Sequence, residues 1–152
     1  MNKPDTIFWF ASLTAGYSDS EDRLWLRLTH ADREATVWMT RRLTQALVQK
    51  AFQLLSGRET EEPLPSHAEV VAPFVQKGGD ASPKQRSAQT PIVGQGLVST
   101  INCSLTPKGM NWVFHVPSSK AGLACSDVEA HCLLELLFQR QKAAGWAIPS
   151  PW

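Results

Sequence analysis

Residues 24–55 decide the fold expected of this chain, and they read LWLRLTHADREATVWMTRRLTQALVQKAFQLL. Leucines alternate with polar or aromatic residues from Leu24 to His30, and the alternation resumes after a turn at 31–33. Because a period of two places successive side chains on opposite faces of a strand, this pattern predicts an antiparallel hairpin. Thr40 then precedes apolar residues spaced three and four apart, which predicts a capped amphipathic helix.

The same order of elements recurs between residues 97 and 144. Strand-like alternation covers 97–105 and 110–116, and the sequence SDVE at 126–129 has the spacing of a capping box at the start of a helix. We therefore expect an α+β fold built as a ββα–ββα pseudo-repeat. Its form would be a two-layer sandwich, in which an antiparallel sheet of five or six strands is covered by two helices.

The length and composition favour one domain over residues 1–152. Residues 7–13 are expected to form a first strand rather than a secretion signal, and residues 15–20 a loop. Residues 58–95 hold five of the ten prolines and are expected to form an internal Pro/Gly-rich flexible loop, with a binding lid as the alternative. Within that segment, SHAE at 66–69 has capping-box spacing and predicts a short helical stretch.

Charge and cysteine usage limit the classes of function. The net charge is +1, from 15 basic and 14 acidic side chains, which gives no long-range attraction to nucleic acid or to an anionic membrane. No stretch approaches the roughly 18 apolar residues of a membrane span. The three cysteines form no paired framework, so we expect a reducing compartment and a cytoplasmic, bacterial protein. A nucleic-acid function would depend on four basic residues, which are Arg23, Arg27, Arg41 and Arg42.

The chain carries no phosphate loop, dinucleotide motif, metalloprotease motif or nucleophile elbow, and no known family is recognisable. The spacing of cysteines and histidines does not fit a zinc site, so we expect neither a metal nor a cofactor. An alternative function is a small enzyme or thiol sensor that uses Cys125 with His131 or His115, because a helix start can lower a thiol pKa. Glu135 lies four residues after His131, and this spacing predicts a surface ion pair.

The aromatic residues of the hairpin provide the leading hypothesis. If the leucines of the first strand face the helices, Trp25, Trp38 and Arg27 share the opposite face. Tryptophan is enriched at the centres of protein interfaces, so we expect a non-enzymatic interaction or accessory module that forms a homodimer or binds a protein partner there. The alternative is an internal cover supplied by another strand, by the long loop or by residues 8–10.

Overall fold

The computed structural model describes residues 7–31, 33–58, 64, 66–75, 92–117, 119–146 and 150–152. Within these residues the chain forms strands and helices in the order β1 (Ile7–Phe10), β2 (Ser12–Ser18), β3 (Arg23–His30), β4 (Arg33–Met39), α1 (Arg41–Ser56), α2 (His67–Val75), β5 (Ile92–Leu97), β6 (Thr100–Thr106), β7 (Gly109–Val116), β8 (Ser119–Ser126) and α3 (Asp127–Ala143). The predicted α+β class is confirmed.

The strands form two mixed sheets of four, in the orders β1-β8-β7-β6 and β2-β3-β4-β5. The prediction of one antiparallel sheet with five or six strands is therefore wrong. The reason is that β1 pairs with β8 and β5 pairs with β4, both in parallel. Parallel partners come from distant parts of the chain, and alternation within a single strand carries no information about them.

The chain passes from one sheet to the other at two bends. Ala11 separates β1 from β2, and its amide donates to the carbonyl of Thr29 at 3.1 Å. Val98 and Ser99 separate β5 from β6, and their amides donate to Trp38 and His115 in different sheets, each at 2.9 Å. The chain therefore shows the same order twice: a single strand, a three-stranded meander and a helix, first as β1, β2–β4 and α1 and then as β5, β6–β8 and α3. In each case the single first strand joins the sheet formed by the other meander.

Both predicted long helices are confirmed, together with their caps. Thr40 accepts a hydrogen bond from the amide of Leu43 at the start of α1, at 3.2 Å. Ser126 and Glu129 form the reciprocal capping box of α3, which removes two unpaired amides from the helix start. The two helices pack against each other, α1 also against β3 and β6, and α3 also against β2, β7 and β8.

The core lies between the two sheets and the helices α1 and α3. It contains the inward-facing leucines of β3 and large side chains from the sheet β1-β8-β7-β6, all fully buried: Leu24, Leu26, Leu28, Trp112, Phe114 and Leu123. Burial in β3 alternates residue by residue, as the sequence pattern predicts. The residues between those leucines therefore lie on the outer face of their sheet.

Two local expectations need correction. Residues 15–20 are not all loop, because β2 continues to Ser18 with Gly16 lying directly beneath the ring of Trp25. A glycine allows that close approach within a strand. The segment 58–95 contains α2 and the beginning of β5, while its parts at 59–63, 65 and 76–91 lie outside the described residues. None of the helices in the described part of the chain is long and apolar enough to cross a membrane.

Candidate functional site

The predicted interface residues lie together on the outer face of the sheet β2-β3-β4-β5. The strand registers pair Gly16 with Trp25, Trp25 with Trp38, and Trp38 with Leu97. These four residues form one row that crosses all four strands. Both tryptophans are half-buried, and Leu97 is 39% exposed. Together with Arg27, we call this row the tryptophan face.

Arg27 is fixed beside the row. Its guanidinium lies 5.4 Å from the centre of the Trp25 ring, within the range of a cation–π interaction. Its Nε atom lies 3.0 Å from Oε1 of Glu34, a carboxylate that is almost fully buried. These contacts hold the arginine side chain beside Trp25, so the face combines two large rings with one compensated charge pair.

The structure separates the residues of the thiol alternative. Cys125 pairs with Met110 between β8 and β7, whereas His115 pairs with Lys120, five positions further along these strands. Five residues of extended strand span about 16 Å. His131 hydrogen-bonds His67, and His115 hydrogen-bonds Asn102. These contacts orient both imidazoles toward partners other than the thiol.

Burial also works against thiolate chemistry. It raises the pKa of Cys125 to about 12, with Glu129 and Asp127 adding to the shift, and raises the pKa of Cys103 to about 11. Burial, together with Glu129 and Glu135, also raises the pKa of Cys132. Since the thiolate is the reactive form, these thiols are poor nucleophiles near neutral pH.

The basic residues considered for nucleic-acid binding are partly neutralised by acids. Arg27 is paired with Glu34, and Arg41 lies 3.2 Å from Asp22. The guanidinium of Arg41 also covers the ring of Trp146 at 4.8 Å. These contacts use the arginines within the fold and reduce the positive charge available to phosphate groups.

A second site lies among α1, α2 and α3, where a cavity of about 560 Å³ is bordered by Phe52, His67, His131 and Trp152. We call it the histidine pocket. His67 is buried, with its Nδ1 atom 2.9 Å from Nδ1 of His131 and its Nε2 atom 3.0 Å from Oε2 of Glu135. The ring of Trp152 stacks on His67 with centroids 3.7 Å apart.

The partners of His67 determine where the protons lie. A carboxylate only accepts, so His67 donates from Nε2 to Glu135. In neutral His67 the Nδ1 atom then accepts, and His131 donates to it from its own Nδ1. The Nε2 atom of His131 is consequently an acceptor. Burial and the neighbouring His67 lower the pKa of His131, against a raising effect from Asp127, which favours this neutral form.

The charge of Asp127 at the pocket is compensated by Arg58. Their contacts are bidentate, with Nε to Oδ2 and Nη2 to Oδ1 both at 2.8 Å. Arg58 also donates to the carbonyls of Thr106 and Gly109, at 3.1 and 2.7 Å. The arginine therefore ties the end of α1 to the β6–β7 turn and compensates the charge of Asp127 at the pocket.

Sequence reasoning missed this pocket. It predicted a surface pair between His131 and Glu135, whereas His67 lies between them and bonds both. The available signals were the SHAE sequence at the start of α2 and the four-residue spacing on α3. Neither signal indicates that α2 packs on α3, which are separated by more than 50 residues of chain.

Among the described residues, no cluster of three or more His, Cys, Asp or Glu side chains could hold a metal ion. In the pocket this is understandable, because the two ring nitrogens of His67 point to different partners. A scan against protein-family models found no matching family, and searches of curated proteins and of solved structures found no significant match.

Proposed function

We propose that this protein is a non-enzymatic interaction module that self-associates through the tryptophan face. The observation that carries the proposal is the in-register row of Gly16, Trp25, Trp38 and Leu97 across four strands. Strand register fixes the position of each side chain in the row, so the apolar surface is preorganised for a partner of similar width.

The chemistry of the row suits an interface centre. Tryptophan, tyrosine and phenylalanine bury about 150–250 Å² each, and tryptophan and arginine are the residues most often found at hot spots. Trp25 and Trp38 are adjacent, and Arg27 lies over the first of them. Burial of this cluster by a second surface would remove from water the parts of both indole rings and of the arginine stem that remain exposed.

A second copy of the chain is the partner that fits best. In a twofold interface the same patch faces itself, so the patch must not repel its own copy. Arg27 and Glu34 form a compensated pair on this face, and the whole chain has a net charge of only +1. An apolar centre flanked by this compensated pair favours contact with its own copy.

The test compares tryptophans on the two sheets. Light scattering coupled to size-exclusion chromatography is run on the full chain and on the double variant Trp25→Ser/Trp38→Ser. The matched control is Trp9→Ser, because Trp9 is 37% exposed and packs over Gly122 on the other sheet. Leu97→Lys is a second variant, which places a charge in the row at an exposed position.

We expect a wild-type dimer, a dimer for Trp9→Ser, and folded monomers for the other two variants. Two hot-spot residues at about 2 kcal/mol or more each correspond to a loss of affinity of roughly 1,000-fold. A wild-type monomer at all concentrations, or a dimer that persists in both face variants, contradicts the proposal. A wild-type monomer is the expected result if a segment of the same chain covers the tryptophan face.

A further inference from the structure

We infer that the histidine pocket binds a small, uncharged aromatic molecule that carries one hydroxyl or N–H donor, with Nε2 of His131 as the acceptor. This inference does not depend on self-association, because the pocket and the tryptophan face share no residue. Four features of the pocket carry it, namely its size, its aromatic walls, its charge balance and the acceptor that His131 offers.

The size of the cavity indicates a small ligand. Sites for small molecules commonly have volumes of about 300–1,000 Å³, and this cavity measures about 560 Å³. Its lining comes from three helices, with Leu55 on α1, Val70 on α2 and Val128 on α3. A space between three packed helices accepts a compact molecule more readily than an extended chain.

The walls favour an aromatic ligand. Phe52 meets Trp152 edge to face with centroids 5.6 Å apart, and meets His67 in the same way at 6.0 Å. A ring of the ligand that enters beside these groups gains the same offset or edge-to-face contacts, which add to the gain from burial. Trp152 is already held against Phe138 and His67, so it loses little freedom when a ligand arrives.

The charge balance favours an uncharged ligand. Among the described residues that line the cavity, Asp127 is the one charged side chain, and Arg58 compensates it through two short contacts. An ion placed among Phe52, Val70 and Trp152 would lose its hydration, and the charges of Asp127 and Arg58 already compensate each other. The site therefore discriminates against carboxylates of otherwise suitable shape.

The acceptor of the pocket is set by the chain from Glu135 through His67 to His131. When His67 is neutral and donates to Glu135, its Nδ1 atom accepts from Nδ1 of His131, and the Nε2 atom of His131 then carries a lone pair and no proton. His131 borders the cavity and is half-buried. A ligand donor that reaches this atom satisfies it, whereas a ligand without a donor leaves a polar atom unpaired on binding.

The test uses three naphthalene probes that differ at one position, titrated into the full wild-type chain near neutral pH. They are 2-naphthol, 2-methoxynaphthalene and 2-naphthoate, which supply a donor, no donor and a negative charge. Binding is followed by NMR chemical shifts of the indole N–H of Trp152 and the ring of His131. We expect 2-naphthol to bind about tenfold more tightly than the methoxy compound, and the carboxylate to bind weakest.

Two variants locate the acceptor. His131→Leu should retain binding of the ring but lose the preference for 2-naphthol, so that 2-naphthol and 2-methoxynaphthalene bind with about equal affinity. The control is His115→Leu, which changes a histidine of β7 that bonds Asn102 on β6. This variant should retain the tenfold preference. The wild-type probe series gives a result even if His131→Leu fails to fold.

Equal affinity of the naphthol and methoxy probes overturns the inference, as do shifts that cluster away from Trp152. Failure of all three probes at millimolar concentration also overturns it, and indicates that part of the chain itself fills the cavity.

Discussion

The tryptophan face and the histidine pocket both present aromatic rings, but different forces hold them in place. On the face, Trp25 and Trp38 are positioned by strand register and stand on one side of a sheet. In the pocket, His67 is positioned by side chains of α3 and by Trp152 from the end of the chain. We therefore expect the face to keep its shape when one side chain is truncated, and the pocket to lose its shape when His67 is removed.

The largest expected effect comes from breaking the pocket with His67→Ala. This variant leaves the carboxylate of Glu135 and the donor of His131 without their partner, and removes the ring on which Trp152 stacks. Unpaired buried partners cost about 1–3 kcal/mol and an aromatic pair about 0.5–1.5, so unfolding should be easier by about 2–4 kcal/mol. Urea unfolding measures this difference.

The control for this prediction is His115→Ala, which changes a half-buried histidine on the outer face of the sheet β1-β8-β7-β6. Its free energy of unfolding should change by about 0.5 kcal/mol or less, as surface substitutions commonly do. Equal losses in the two variants would show that His67 has no special structural role.

A smaller effect is expected when the support of the face is changed by Gly16→Ala. The added methyl group would collide with the indole of Trp25, and overpacking of this kind costs about 1–3 kcal/mol. The matched change is Gly122→Ala, where a methyl group would collide with Trp9 and Ile7 on the other sheet. Both variants should lose stability, but only Gly16→Ala should weaken the dimer, as measured by sedimentation velocity.

If Gly122→Ala weakens the dimer as much as Gly16→Ala does, the two sheets do not differ in function. If neither variant changes association, the ring of Trp25 contributes no contact to a second copy.

The smallest expected effect is the change of stability with pH that arises from His131 in the pocket. The folded-state pKa of His131 lies below its ordinary value of 6.5, chiefly through burial and also through His67. The unfolded chain therefore binds more protons, and stability should fall as the pH drops below about 6.5 toward the folded pKa. The charged or titratable groups around it are His67 on α2, Asp127 and Glu135 on α3, and Arg58, which is paired with Asp127.

This slope is measured by thermal unfolding between pH 7.5 and 5, a range of about 2.5 units around the His131 transition. The variant His131→Leu should show a shallower slope than the wild type over that range. An identical slope in both proteins would mean that the pKa of His131 is the same in the folded and the unfolded chain, which contradicts the prediction.

The same difference between the two regions explains what the sequence could predict. The alternation around Trp25 and the cap at Thr40 are local, so both the outward direction of the ring and the start of α1 follow from neighbouring residues. The histidine pocket depends on packing between His67 and α3, and a local pattern does not encode that distance. The parallel partners of β1 and β5 escaped prediction for the same reason.

The thiol alternative shows the opposite case, in which a local signal misleads. Cys125 lies just before a helix start, where a thiol pKa is often lowered. Burial and the acids Asp127 and Glu129 outweigh the helix in the folded chain and raise that pKa to about 12. The degree of burial is a tertiary property, and it decided the sign of the shift.

Self-association through the tryptophan face is tested most directly by isotope-filtered NMR on a mixture of labelled and unlabelled wild-type chains. This experiment detects only proton contacts between copies. We expect intermolecular contacts from the rings of Trp25 and Trp38, together with Leu97. Their absence from a sample that contains dimers, or contacts that come from Trp9 instead, would contradict the proposed interface.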